Sequence, residues 1–169
     1  MGKVLFSVVV AGVLSSSLFA GPCVLAQTGA VDVVWTGYKT EKKVGVSGGF
    51  DGVVYTPIKK EGDSFKDILV GSKVTIDTTK VNSKNSARDE KLAKFFFGMM
   101  NSKNIEAKII SIKAEKTPKG APRGGVVDVE ISMNGIKKVT QMKYVYGEDL
   151  IFNAGGTIDL ADFDASKAV

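Results

Sequence analysis

The chain has 169 residues, of which 23 are Lys or Arg and 18 are Asp or Glu, so its net charge is +5, and it contains no histidine. Without histidine, Ser-His-Asp and Cys-His nucleophile systems are excluded, and the single cysteine, Cys23, has no partner within the chain for a disulfide. The lysines are scattered rather than gathered with aromatic residues into a dense patch, so we expect a solvated surface and no nucleic-acid partner.

The first 26 residues have the order of a secretory signal peptide. Lys3 supplies a positive charge, a short apolar run follows, and small residues then offer two cleavage points, after Ala20 and after Ala26. We prefer cleavage after Ala26, which leaves one domain at residues 27–169. The apolar run is too short to span a bilayer comfortably. We therefore predict a periplasmic protein with no stable membrane insertion after cleavage.

A period of two dominates the chain from Val31 onward and predicts β-strands. Val31, Val33 and Trp35 share one face of the first of these. The next strand, residues 44–50, is almost bare of side chains on one face, which indicates a strong bend or the close approach of another backbone. Two short strands are predicted to follow, the second at residues 72–78.

Two helices are predicted among the strands. A short one is capped by Asp63 or Ser64. The main helix covers residues 86–98, with Ser86 as its cap and Gly98 at its end. Its apolar residues fall at helical spacing and are expected to share one face: Leu92, Phe95, Phe96 and Met99.

The second half of the chain is predicted to form five extended runs separated by turn signals, at residues 104–117, 126–135, 136–147, 149–156 and 157–163. In one of them Val127, Val129, Ile131 and Met133 alternate with polar residues, so this strand has one dry and one wet face. The dipeptide at residues 134–135, Asn-Gly, predicts a two-residue hairpin.

These segments amount to eight or nine strands with one main helix. The fold is therefore all-β, either a sandwich or a closed antiparallel barrel. An eight-stranded barrel has an interior that packs solid or holds one small ligand.

No set of residues selects a catalytic or metal site. The usual zinc and haem ligands are missing from residues 27–169. Asp159, Asp162 and Asp164 form the closest acidic set, and a soluble tail explains them better than a cation site. Arg88 and Asp89 are neighbours that cannot face each other on a helix, so each is expected to bond the loop around it. We expect no enzyme activity, no metal and no cofactor.

Three stretches resemble the YceI-like family. Residues 74–96 contain Ile-Asp-Thr, then Arg-Asp-Glu-Lys-Leu, then a Phe-Phe pair, similar to the signature region of that family. Residues 154–164, AGGTIDLADFD, resemble its closing strand, and residues 46–53, VSGGFDGV, resemble its Gly-x-Phe segment. Two departures concern ligand contacts, since Lys91 stands where the family commonly has histidine and Leu160-Ala161 stands where it has arginine.

The resemblance implies an exported eight-stranded, antiparallel, lipocalin-like barrel. It also implies a non-enzymatic carrier of an elongated apolar ligand: a polyisoprenoid, an isoprenoid quinone, or a fatty acid or amide. Association of two copies is left open. The rival hypothesis is a stress-protective structural or interaction protein whose barrel is filled by its own side chains. A hydrolase that uses carboxylates alone ranks third.

The candidate ligand-binding residues are apolar residues of strand faces and of the main helix. They are Trp35, Val46, Phe50, Phe95, Phe96, Met99, Met100, Ile131, Met133, Met142, Tyr144 and Phe152. Plain core packing is the competing explanation for each of them. Phe95, Phe96 and Met99 have the strongest case, because a helix laid over a barrel end acts as a lid. Methionine side chains adapt to ligands of variable shape.

Overall fold

The computed structural model describes the backbone of residues 3–10 and all atoms of residues 24–38 and 45–165. The alternative cleavage point after Ala20, and Cys23, lie outside the described residues. Strands are assigned to twelve segments: β1 Lys3–Val10, β2 Leu25–Ala26, β3 Val31–Tyr38, β4 Gly45–Phe50, β5 Val53–Thr56, β6 Glu61–Gly62, β7 Lys73–Asp77, β8 Val81–Asn82, β9 Asn104–Ala114, β10 Arg123–Met133, β11 Ile136–Tyr146 and β12 Phe152–Asp159.

Ten of these strands form one antiparallel sheet in the order β5-β7-β9-β10-β11-β12-β1-β3-β4-β8, and β2 pairs with β6 in a separate ribbon. Long strands β9, β10 and β11 build its middle as a meander. The β10–β11 turn has φ values of 53° at Asn134 and 80° at Gly135, so the predicted Asn-Gly hairpin is confirmed. The mostly β, antiparallel character predicted from the sequence is likewise confirmed.

The sheet curves back toward itself, but pairing among the described residues does not close it into the predicted eight-stranded barrel. Strands β4 and β5 are separated by only residues 51–52, although they lie near opposite ends of the strand order. The backbone at this bend bonds elsewhere: Asp51 N–H donates to the Lys80 carbonyl at 2.9 Å, and Asp77 N–H donates to the Gly52 carbonyl at 2.8 Å. The chain therefore leaves its pairing with β3 at this bend and continues as β5, which pairs with β7.

Two segments differ from the sequence prediction. The backbone of residues 3–10 forms β1 between β12 and β3, where the sequence predicted no strand; that these residues belong to a signal peptide stays a prediction. The runs at residues 149–156 and 157–163 are not two strands, because β12 continues through Gly155 and Gly156 and a 3₁₀ turn, Leu160–Phe163, follows it. The strand can continue through Gly156 because this residue has no side chain that would collide with β11. A Cβ at residue 156 would lie only 2.9 Å from Met142 Cγ.

The helices begin where side chains satisfy their free N–H groups. Helix α1, Phe65–Leu69, is capped by Ser64, whose hydroxyl accepts from Asp67 N–H. Helix α2, Ser86–Lys91, is capped one residue earlier than predicted, because Asn85 Oδ1 accepts from Arg88 N–H at 3.0 Å. A π-helical turn and then a 3₁₀ turn continue the helical segment to Met99, at Leu92–Phe96 and Phe97–Met99.

The core is made by alternate residues of the strands. The inward faces of β3 and β10 contain the apolar residues that the sequence alternation identified, including Val31, Val33, Val127 and Val129. Helix α1 adds Phe65, Ile68 and Leu69 to the same core. The curved sheet thus encloses one apolar interior, with α1 and α2 at different parts of its rim.

Candidate ligand-binding interior

Four aromatic rings gather where α1 meets the end of β11 and the start of β12. Phe65 of α1 stacks on Tyr146 with ring centroids 5.1 Å apart, and Tyr144 stacks on Phe152 at 4.9 Å. Phe65 also lies 5.9 Å from both Tyr144 and Phe152. We call these four residues the α1 aromatic cluster. Each of its rings is buried, so the cluster forms an apolar wall at this end of the interior.

Tyr144 brings a polar atom into this apolar wall. Its side chain is 1% exposed, and its hydroxyl has no hydrogen-bond partner in the described part of the chain. Burial raises the pKa of Tyr144, and the nearby Glu115 carboxylate raises it further against the opposing effect of Arg123. The hydroxyl is therefore neutral at physiological pH and available to donate a hydrogen bond. Buried polar groups without a partner are rare.

A second aromatic group lies at the β10–β11 hairpin end. Phe97 meets Phe50 of β4 at 5.7 Å and Phe96 at 4.7 Å between ring centroids. The hairpin is held beside it, because Asn134 Oδ1 accepts from Asn101 N–H at 2.7 Å. The helical segment that follows α2 therefore covers this end of the interior.

The two ends are far apart along the sheet. Strand β11 runs from the hairpin end, at Ile136, to the α1 aromatic cluster, at Tyr146. Its 11 residues correspond to a length of about 35 Å at the usual rise of a strand. Between the ends, Ile131 and Met142 are buried on the inner face, and Met133 is buried at the hairpin end. The apolar interior is thus elongated along the strands.

The structure brings most of the candidate residues to this interior. Seven are buried in the core: Trp35, Phe50, Ile131, Met133, Met142, Tyr144 and Phe152. Three more, Val46, Phe96 and Met100, are partly buried and packed against it.

Phe95 and Met99, two of the three residues given the strongest case as a lid, face outward instead. They are 57% and 65% exposed, whereas Phe97, which the prediction left out, is 6% exposed. The reason is the π-helical turn, in which Phe97 N–H bonds the Leu92 carbonyl five residues back. This wider turn places Phe97 on the buried side of the segment with Leu92 and leaves Phe95 and Met99 facing outward. Phe65 and Tyr146 are the other wall residues that the prediction missed.

Trp35 is held against the glycine-rich strand β4. Its indole N–H donates to the Gly49 carbonyl at 3.4 Å. A Cβ at residue 48 would lie 2.7 Å from Trp35 Cζ2 and 2.9 Å from the Asn82 carbonyl oxygen. Gly48 therefore leaves room for both a ring and a neighbouring backbone, but it lies on the face of Val46 and Phe50. On the bare face predicted at residues 45, 47 and 49, a Cβ at Gly49 would lie 3.2 Å from the Val33 carbonyl oxygen.

Arg88 and Asp89 both bind Ser83, in the loop before α2. The Asp89 carboxylate accepts from Ser83 N–H at 2.8 Å and from the Ser83 hydroxyl. Arg88 donates from Nε to that hydroxyl and from Nη2 to the Ser83 carbonyl, both at 2.7 Å. The Ser83 hydroxyl is the first cause that lowers the pKa of Asp89. The expected role of this pair in bonding the surrounding loop is confirmed.

The described residues lack two kinds of feature. Residues 3–10, 24–38 and 45–165 contain no helix of sufficient length and apolar character to cross a membrane. Nor does this part of the chain bring three or more His, Cys, Asp or Glu side chains together as a metal site.

The fold and its interior define an antiparallel β protein whose curved sheet surrounds an elongated apolar core. A family model described as "YceI-like domain" matches residues 27–169. The chain therefore belongs to the YceI-like family, and the resemblance drawn from residues 46–53, 74–96 and 154–164 is confirmed.

Solved structures of YceI proteins have a similar fold. The chain is similar to the Campylobacter jejuni YceI protein that crystallizes with large solvent channels, and to a mutant of it with a monobromobimane guest structure. Each has a TM-score of 0.54 and 20% sequence identity, with 78% of both chains covered. At this identity the likeness establishes the fold alone. No curated protein matches the chain.

Proposed function

We propose that this chain is a non-enzymatic periplasmic carrier that holds an elongated apolar ligand inside its curved sheet. The ligand classes are a polyisoprenoid, an isoprenoid quinone, and a fatty acid or amide. Membership of the YceI-like family and the elongated apolar interior support this proposal. The observation that carries it is the Tyr144 hydroxyl, a buried donor in an apolar wall with no hydrogen-bond partner among the described residues. Ligand sites are mostly apolar with a few placed polar groups.

The proposal includes a lipocalin-like barrel of eight strand positions. In the full chain that count is reached if β4 and β5 are taken as one bent strand and the two-residue β8 is left out of the ten-stranded order; β1 is one of the eight, so removal of residues 1–26 leaves seven. The two-residue link at 51–52 supports closure, because it joins strands near opposite ends of that order. The proposal also includes export, with residues 1–26 removed as a signal peptide, for which the sequence order of charge, apolar run and small residues is the support.

A second candidate is the structural or interaction protein whose interior is filled by its own side chains. The stacking of Phe65 on Tyr146 and of Tyr144 on Phe152 favours it, since these rings already contact one another. The two functions differ in whether the interior takes up a guest, so binding measurements separate them.

The test is uptake of a fluorescent polyene fatty acid, cis-parinaric acid, by delipidated protein. We expect saturable binding and displacement by both oleamide, which has a carbonyl, and squalene, which has no polar group. Replacing Tyr144 by Phe removes one hydrogen bond, worth about 0.5–1.5 kcal/mol. The variant is therefore expected to bind oleamide roughly 2- to 10-fold more weakly, with squalene affinity unchanged.

Tyr146→Phe is the matched control, because Tyr146 belongs to the same aromatic cluster and its hydroxyl is not among the buried unpartnered atoms. It should leave both affinities unchanged. Absence of saturable probe binding to the delipidated wild type would refute the carrier and favour the self-filled interior.

A further inference from the structure

The helical segment that covers the hairpin end of the interior has two large apolar side chains on its outer side. Phe95 and Met99 are both more than half exposed, although each stands only two residues from the buried Phe97. Residues four apart are neighbours on one side of a helical segment. We call Phe95 and Met99 the apolar tip. One segment thus packs an aromatic ring into the interior and presents a second apolar surface to the outside.

Lysines flank the apolar tip. The ammonium nitrogen of Lys94 lies over the Phe95 ring, 5.2 Å from the ring centroid. Lys91 precedes Phe95 by about one helical turn and is exposed like Lys94. Within the described part of the chain, neither lysine forms an ion pair with a carboxylate. Both ammonium groups are therefore available to anions outside the chain.

The connection between β8 and β9, residues 83–103, has an excess of positive charge. It contains five of the chain's 23 basic residues and two of its 18 acidic ones, a net charge of +3 in 21 residues. The other 148 residues together have a net charge of +2. Of the two carboxylates in the connection, Asp89 is bound by Ser83 and Glu90 is exposed. The apolar tip therefore lies in a region of positive charge.

We propose that the outer side of this segment is a docking face for an anionic lipid bilayer. The face consists of Lys91, Lys94, Phe95 and Met99. The apolar tip enters the boundary between headgroups and acyl chains, and the two ammonium groups bind lipid phosphates above it. Such binding strengthens with buried apolar area and with attraction to anionic lipids, and it leaves the protein on the bilayer rather than across it. Lysine suits this position, because its stem packs along apolar groups while its charged end stays in water.

A lipid surface fits this face better than a protein partner does. A stable protein interface buries about 800 Å² on each side, whereas the apolar tip consists of two side chains. A bilayer presents anionic groups above an apolar layer, which matches lysines beside an apolar tip. The tip also lies at one end of the elongated interior, so docking brings that end against the bilayer. In this respect the inference rests on the proposed function, since a lipid carrier has to exchange its ligand with a membrane.

The test is co-sedimentation of the delipidated full chain with two kinds of vesicle, phosphatidylcholine alone and phosphatidylcholine mixed equally with phosphatidylglycerol. We expect roughly tenfold or more stronger binding to the anionic vesicles. Salt at roughly 0.5 M should weaken this binding, because it screens exposed charges. Residues 1–26 are present in the wild type and in all variants, so any contribution from them is common to every measurement.

Lys91→Glu combined with Lys94→Glu tests the charged part of the docking face. This variant should bind the anionic vesicles about tenfold or more weakly than the wild type. Lys116→Glu combined with Lys119→Glu is the matched control, because it changes the net charge equally in the exposed loop after β9. Its loss should stay below about threefold, since charges farther from the lipid surface are screened.

Phe95→Ser combined with Met99→Ser tests the apolar tip. Both side chains are exposed, so the fold should be retained, which an unchanged urea midpoint would verify. Binding to the anionic vesicles should fall roughly tenfold, because less apolar area leaves water on docking. Val139→Ser combined with Val145→Ser is the control, because these exposed valines lie on β11, away from the docking face. It should bind as the wild type does.

A fluorescent label locates the contact. In a Cys23→Ser background, a nitrobenzoxadiazole group attached to Met99→Cys should gain fluorescence severalfold with anionic vesicles. The same label attached to Val139→Cys should not respond. A label at residue 99 that stays unchanged would overturn the docking face and assign the apolar tip to a protein partner.

Equal binding of the two lysine variants, or equal binding of the wild type to neutral and anionic vesicles, would also overturn the proposal. Vesicle binding and ligand uptake are measured separately, so the two proposals fail separately. Vesicle binding without uptake of cis-parinaric acid would refute the carrier and retain the docking face. Uptake without vesicle binding would retain the carrier and refute the docking face.

Discussion

At the scale of single residues, glycine spacing decides where the large rings of the interior lie. The sequence indicated a bare face of β4 at residues 45, 47 and 49, whereas the Trp35 indole lies beside Gly48 on the opposite face. What the sequence did not provide is the direction of particular rings. Tyr144 alternates like any buried residue of β11. That its hydroxyl has no hydrogen-bond partner in the described part of the chain emerges only once the strands around it are assembled.

Gly48→Ala tests this close approach. The added methyl group would lie 2.7 Å from the Trp35 ring and 2.9 Å from a backbone oxygen, so we expect a loss of about 1–3 kcal/mol in the free energy of unfolding. Gly37→Ala is the control, since its Cβ would lie at an ordinary 3.6 Å from the same ring. Urea unfolding followed by tryptophan fluorescence measures both. Equal stability of the two variants would show that residue 48 does not need to be glycine.

At the scale of elements, the helical segment shows what periodicity predicts and where it fails. A helix at residues 86–98 was predicted and is found at residues 86–99, as α2 followed by two irregular turns. An ideal helical period was assumed for its apolar residues, and the π-helical turn breaks that period. Three consecutive phenylalanines give no local signal for which ring is buried, because contacts with β4 and the hairpin decide it.

Phe97 should therefore carry the packing of this segment. We expect Phe97→Ser to cost about 3–5 kcal/mol, the range for loss of a buried aromatic ring. Phe95→Ser, at an exposed position of the same segment, should cost less than about 0.5 kcal/mol. Thermal and urea unfolding measure the difference. A larger loss of stability in Phe95→Ser than in Phe97→Ser would show that Phe95, and not Phe97, is the buried ring.

The start of α2 gives this element a pH dependence. Hydrogen bonds from Ser83 lower the pKa of Asp89 below its ordinary value, so its carboxylate stabilises the fold at neutral pH. That stabilisation is fully present above the ordinary pKa, about 3.9, and is lost as the pH falls through the lower pKa of the folded state.

Asp89→Asn should accordingly lower the urea midpoint at pH 6. The difference from wild type should narrow as the pH falls below about 4. Glu90→Gln changes an exposed carboxylate on the next residue and is the control. A difference that stays constant from pH 6 to pH 3 would assign the effect to side-chain shape rather than to charge.

At the scale of the whole molecule, the sequence predicted a β-rich chain and its family, and the family match over residues 27–169 confirms the second. It did not predict the open strand order, because pairing between β1 and its neighbours joins segments more than 20 residues apart in sequence. Nor did it predict the bend at residues 51–52, where the backbone bonds Lys80 and Asp77 instead of continuing one ladder. Long-range pairing of this kind leaves no local pattern.

We propose above that the elongated interior holds a lipid. Native mass spectrometry of protein purified from the exported fraction, before and after organic extraction, tests it most directly. We predict a homogeneous mass excess over the polypeptide that disappears on extraction, with the polypeptide itself beginning at Gln27. A bare polypeptide mass in repeated preparations would contradict the claim.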